Sequence, residues 1–143
     1  MNVKTRVPDA DIQAAQDRSA AWGMEAVIDL HDCSLTRLQD PATYHGFMAD
    51  LLAAIDMNAY GDLWLNRFGK GDLEGITAIQ PIETSSVIIH ADEPGRQCML
   101  NVFSCRAFDP AAAAAVAVRH FGGQAELTVR QRGTRPHTPE AAR

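Results

Sequence analysis

Two Asp-Pro pairs, Asp40-Pro41 and Asp109-Pro110, constrain this chain more than any other local feature. An aspartate at a helix start accepts backbone N–H groups that have no partner within the helix. A proline at the first helical position gives up only an N–H that would be unpaired anyway. Each pair therefore marks a helix. The first is expected to run to about Asp56, with Phe47, Leu51, Leu52 and Ile55 on one apolar face. The second runs through an alanine-rich segment to Phe121 and stops at Gly122-Gly123.

Between the helices the apolar pattern is that of strands. Segments 59–68, 76–84, 86–91 and 98–105 qualify, with Gly69, Gly71 and Gly75 punctuating the first gap. Asp92-Glu93-Pro94-Gly95 is a tight turn that joins the last two segments into a hairpin. A further strand over 24–33 precedes the first helix, and another over 125–131 follows the second. The order is β-α-β-β-β-β-α-β. Four consecutive strands do not fit a βαβ alternation, so the expected fold class is α+β: a two-layer sandwich, a mainly antiparallel sheet with helices on one face. One domain is expected over 23–132, between a flexible arm (1–22, with a helical piece over 9–21) and a flexible tail (133–143).

Charge excludes some partners. Asp and Glu (18) outnumber Lys and Arg (13), giving a net charge of −5, and no basic run is present to meet phosphate backbones. Nucleic acid is not an expected partner. Neither is a membrane, since no apolar run approaches the roughly 18 residues of a span. The start of the chain lacks the apolar core of a signal peptide, and the cysteines (Cys33, Cys98, Cys105) are odd in number and in no metal-binding spacing. A cytoplasmic protein with neither disulfides nor a bound metal is expected.

The residues with chemical potential lie around 83–105. Ser85 and Ser86 stand where one apolar strand stops and another starts; His90 follows Ser85 by five positions, and Cys105 follows His90 by fifteen. If 86–91 and 98–105 form a hairpin, the two serines come near Cys105. A hydroxyl, an imidazole and a thiol in one region could supply a nucleophile, a base and a proton donor. Each also has an ordinary structural reading: a turn serine, a half-buried histidine, a cysteine acting as a small core residue.

Over about residues 23–130 the chain resembles the prokaryotic S-adenosylmethionine decarboxylases, a family of pyruvoyl-dependent, self-cleaving proenzymes. Gly23 to Cys33 is similar to the family's first strand, a glycine and an apolar run ending Asp-Leu-Tyr-Gly-Cys. Leu38-Gln39-Asp40-Pro41 also fits the family's approach to its first helix. Ser85-Ser86-Val87-Ile88-Ile89-His90 matches Ser-His-Leu-Ser-Ile-His at its first, fifth and sixth positions, and Asn101-Val102-Phe103-Ser104-Cys105 resembles Asp-Val-Phe-Thr-Cys.

The resemblance implies that the chain cuts itself between Thr84 and Ser85 and converts Ser85 to a covalent pyruvoyl group. The ketone would form a Schiff base with the substrate amine and act as electron sink while CO2 leaves. Ser85 would be the nucleophile of cleavage, His90 the processing base, Thr77 an assisting hydroxyl and Cys105 the proton donor to the α-carbon. Phe68 would stack on adenine, or pack at a strand end; Glu83 would act in processing or at the substrate, or be a solvated strand residue. The implied partners are a small-molecule substrate and a second copy of the processed chain, in a homodimer with a shared site. The implied role is to supply the aminopropyl donor of spermidine synthesis.

The sequence also departs from the family. Thr84 replaces the glutamate before the cleaved bond, Ser86 replaces the histidine after the serine, and His-Thr-Trp-Pro-Glu becomes His90-Ala91-Asp92-Glu93-Pro94. Cleavage at Ser86, a pyruvoyl decarboxylase of ornithine or arginine, and a non-processing homologue serving as a binding or regulatory subunit stay open on these residues.

Overall fold

The computed structural model describes residues 3–5 and 21–134 of the 143-residue chain. The strands are β1 (Val3–Thr5), β2 (Gly23–His31), β3 (Trp64–Phe68), β4 (Gly75–Ile82), β5 (Ser85–Asp92), β6 (Gln97–Ser104) and β7 (Gln124–Arg132). The helices are α1 (Leu35–Gln39), α2 (Pro41–Ala54) and α3 (Pro110–Phe121). The strands form one sheet in the order β1-β7-β2-β6-β5-β4-β3. Every pairing is antiparallel except that of β1 with β7. The expected two-layer α+β architecture is the one found.

Both Asp-Pro signals act as read. Asp40 Oδ1 accepts the Ala42 N–H at 3.0 Å, and Asp109 Oδ1 accepts those of Ala111 and Ala112 at 2.9 and 3.2 Å. Helix α3 stops at Gly122, whose N–H donates to Val118 O at 2.8 Å. Gly123 follows at φ +78°, and a Cβ there would lie 2.0 Å from His31 O, so only glycine lets the chain turn from α3 into β7.

Alternate strand residues build the core. Ala26, Ile28 and Leu30 of β2, Val87 and Ile89 of β5, Leu100 and Val102 of β6, and Leu127 of β7 are all buried. They pack with Tyr44, Phe47 and Leu51 of α2 and Phe121 of α3 in one cluster. Phe121 lies 5.2 Å from the Tyr44 ring and 5.3 Å from that of Phe47, centroid to centroid. The opposite sheet face carries Val27, Ile79, Ile88, Met99 and Phe103, each only partly buried, and exposed Trp64. No helix of the described residues covers that face.

Some expected bounds differ. The segment 59–68 forms strand only over Trp64–Phe68; Ala59 makes a single bridge to Ile82, and Gly61 at φ +83° breaks the run between them. Helix α1, capped by Ser34 Oγ on the Arg37 N–H, was not foreseen because five residues are too few for a periodic signal. Val3–Thr5, read as part of an arm, pairs with β7. The helical piece expected over 9–21 falls, apart from Ala21, outside the described residues, as does the tail beyond 134.

Candidate active site

Strand pairing sorts the chemically interesting residues into two groups at opposite ends of the sheet. At one end, β4 and β5 are joined by a two-residue turn, Glu83-Thr84, with Ile82 paired to Ser85. Ser85 is also paired to Ser104, the last residue of β6, so Cys105 follows immediately beside it. The Cys105 N–H donates to the carbonyl oxygen of Thr84 at 3.0 Å. Glu83 is exposed: its N–H donates to Asn58 O at 3.0 Å, and its Oε2 accepts from Asn58 Nδ2 at 3.2 Å.

Beneath the turn runs a chain of directed hydrogen bonds. The Arg106 N–H donates to Ser104 Oγ at 3.0 Å, Ser104 Oγ donates to Thr84 Oγ1 at 2.7 Å, and Thr84 Oγ1 donates to Met57 Sδ at 3.3 Å. Ser104 is fully buried, and it ends a row that is otherwise apolar, Cys98, Leu100 and Val102. The sequence placed Ser104 in the Asn101–Cys105 motif but gave it no role, because what a small hydroxyl at a strand end does depends on its contacts.

At the other end lie His90, Thr77 and Phe68. His90 pairs with Thr77 on β4 and Met99 on β6. His90 Nδ1 and Thr77 Oγ1 share a hydrogen bond of 3.1 Å. Phe68, 43% exposed, pairs with Gly75 at the start of β4. His90 thus does not join Ser85 and Cys105 in one region of the chain, as the hairpin argument had it. Five residues of extended strand span about 17 Å, so a spacing of five within one strand separates side chains rather than gathering them.

Arg67, beside Phe68, is committed elsewhere. Its Nη1 donates to both carboxylate oxygens of the buried Glu93 at 2.6 and 2.7 Å, and its Nη2 donates to Gln39 O at 3.2 Å. A cavity of about 260 Å³ beside this pair, lined by Leu35, Gln39, Glu74, Glu93, Pro94 and Arg96, touches none of the sequence-predicted residues. On the uncovered face near Ser86, Glu25 accepts from Asn101 Nδ2 at 2.6 Å and pairs with Arg132, which stands over the Phe103 ring. Asn101 stands where the resembled motif Asp-Val-Phe-Thr-Cys has aspartate; an acid there would face Glu25 directly.

Cys105 is half-buried, whereas burial pushes the Cys33 thiol up to about 11 and raises that of Cys98 well above its ordinary value. His120 has its Nε2 2.7 Å from Asp50 Oδ2, a contact between helices far apart in sequence. Among the described residues no cluster of His, Cys, Asp and Glu could hold a metal, and no helix is long and apolar enough to cross a membrane.

A sheet covered by helices on one face, with serine, threonine and cysteine at the mouth of a tight hairpin, defines the structural class. Comparison with known proteins narrows it. A family profile for S-adenosylmethionine decarboxylase matches residues 24–133. The crystal structure of the adenosylmethionine decarboxylase from Aquifex aeolicus VF5 superposes with a TM-score of 0.69 at 13% identity, covering 82% of this chain and 96% of that one. No curated protein matched the sequence. The chain belongs to the S-adenosylmethionine decarboxylase family.

Proposed function

We propose that the chain is the proenzyme of a pyruvoyl-dependent S-adenosylmethionine decarboxylase that cuts itself between Thr84 and Ser85 and supplies the aminopropyl donor for spermidine synthesis. One observation carries the reading beyond family membership: the Thr84 carbonyl accepts the Cys105 N–H at 3.0 Å, directly before a serine that leaves a two-residue turn. When the Ser85 hydroxyl adds to that carbonyl carbon, negative charge builds on the oxygen the N–H already meets. The C–N bond then breaks, the nitrogen becomes the free amine of Ser85, and an ester links the two halves. Removal of the Ser85 α-proton, with His90 as base, expels the Thr84 carboxylate from Cβ. Water takes the nitrogen away as ammonia and leaves a ketone.

The geometry around Ser85 is compatible with such a group: the turn is tethered on both sides, and half-buried Cys105 directly follows Ser104, the residue paired to Ser85. A pyruvoyl group there supplies the electron-withdrawing carbonyl that decarboxylation of an amino acid requires. Cys105 hands a proton to the α-carbon once CO2 has left.

His90 and Thr77 reach this chemistry from a second copy. The face that no helix of the described residues covers bears Val27, Ile79, Ile88, Met99 and Phe103, only partly buried, which is the character of a surface made for an isologous partner. Two copies packed face to face about a twofold axis that runs across the strands would bring the Ser85 end of one sheet to the His90 end of the other. The working unit in this reading is a homodimer of processed cytoplasmic chains.

The test is CO2 release from carboxyl-labelled S-adenosylmethionine, ornithine and arginine by the purified, cut protein. Release from S-adenosylmethionine alone is expected. Release from ornithine or arginine instead assigns another substrate to the same chemistry, and no release from any of the three overturns the enzymatic reading in favour of a binding or regulatory subunit.

A further inference from the structure

We propose that Ser104 is a positioning residue for self-cleavage, and that its hydroxyl lets threonine serve before the cut bond; the inference rests on the cleavage at Thr84–Ser85 argued above. Thr84 is held at two atoms by consecutive residues of the neighbouring chain segment. Its carbonyl oxygen accepts the Cys105 N–H at 3.0 Å, and its Oγ1 accepts the Ser104 hydroxyl at 2.7 Å. A single tether would let the peptide plane rock about the bond it leaves free. Two tethers, to the backbone and to the side chain, fix the plane of the Thr84 carbonyl relative to β6.

The hydrogen bonds run one way. Arg106 N–H donates to Ser104 Oγ, which leaves that hydroxyl only its own proton to give, and Thr84 Oγ1 receives it. Thr84 in turn spends its proton on Met57 Sδ at 3.3 Å, an acceptor with no basicity to pull the proton away. The chain therefore orients without moving protons. Ser104 is fully shielded from water, so its hydroxyl has no solvent alternative to Thr84; its other acceptor, Met57 Sδ, lies at 3.8 Å, so removing Thr84 Oγ1 would leave a buried donor with only a long contact to sulfur.

Alignment matters because the attacking Ser85 hydroxyl belongs to the residue right after the carbonyl. It reaches the carbon only over a narrow range of backbone angles, and a misplacement of about 1 Å costs such a step about 100-fold.

The experiment follows cleavage of freshly synthesised full-length chain by gel and mass over time. Ser104→Ala and Thr84→Val should each slow the cut about 10- to 100-fold. The double variant should be no slower than the worse single one, because both remove the same hydrogen bond. Ser104→Thr, which keeps the hydroxyl, should restore the rate, an outcome that a role in packing alone does not produce. If Ser104→Ala fails to fold, Thr84→Val probes the same bond from its half-buried side. A wild-type chain that is cut while its Ser104→Ala and Thr84→Val variants keep pace overturns the positioning role alone. A wild-type chain that is never cut overturns the cleavage reading and this role with it.

Discussion

Ser85 and His90 stand at opposite ends of β5, Ser85 paired to Ser104 and His90 to Met99 on the same neighbouring strand. No rotamer of either side chain bridges the about 17 Å of strand between them. If both act in one reaction, they come from different chains. Co-expression of Ser85→Ala with His90→Ala then assembles heterodimers in which one site holds an intact Ser85 and an intact His90. The His90→Ala chain should be cut in the mixture and stay uncut alone. An uncut mixture whose heterodimer is demonstrated by differential tags would contradict a shared site.

The three thiols should separate by environment. Cys33 is pushed up to about 11 and Cys98 is raised, both by burial, while Cys105 is partly open to solvent. Thiolate is the reacting species, so a disulfide-exchange dye at about pH 8 should modify Cys105 rapidly and the other two only when denaturant is added. Simultaneous reaction of all three in the native protein would contradict the burial of Cys33 and Cys98.

The Arg67–Glu93 pair should contribute to stability rather than turnover. Glu93's side chain is 3% exposed and Arg67's 43%. Arg67→Ala leaves a buried carboxylate without its partner, with water able to reach only part of the gap. The expected loss is about 2–3 kcal/mol, less than for a pair buried on both sides. Chemical denaturation measures it, and a loss below about 0.5 kcal/mol would show the pair to be a surface contact.

Much of this fold was legible because its signals are local. The two Asp-Pro caps, the Asp92–Gly95 turn and the alternation along β5 and β6 each act within a few residues, and they set element order and sheet class. The site was half legible. Ser85 beside Cys105 follows from the hairpin register, which the turn fixes. The remoteness of His90 follows from strand rise, but a spacing of five reads as proximity unless that rise is applied. Ser104, Glu93 and the Asp50–His120 contact were not legible, since each depends on a partner 20 or more positions away.

Asp50 links stability to pH. Hydrogen bonds from His120 first and then Arg119 hold its carboxyl below the ordinary value. A carboxyl lowered in the folded state adds stability above its unfolded value of about 3.9, and that stability is lost as pH falls through the folded value. Asp50→Asn should therefore lower the denaturation midpoint at pH 7, and the gap to wild type should close from about pH 4 downward. A gap that stays constant to pH 2 would mean that the carboxylate charge plays no part.

The most direct test of the central claim is the intact mass of protein purified from its native host. Self-cleavage at Ser85 predicts two fragments, residues 1–84 and 85–143, the second with a ketone in place of its amino terminus and reducible by borohydride. Fragments ending at 85 and beginning at 86 would move the chemistry to Ser86. A single chain of 15.5 kDa with no borohydride-reactive carbonyl would contradict the account.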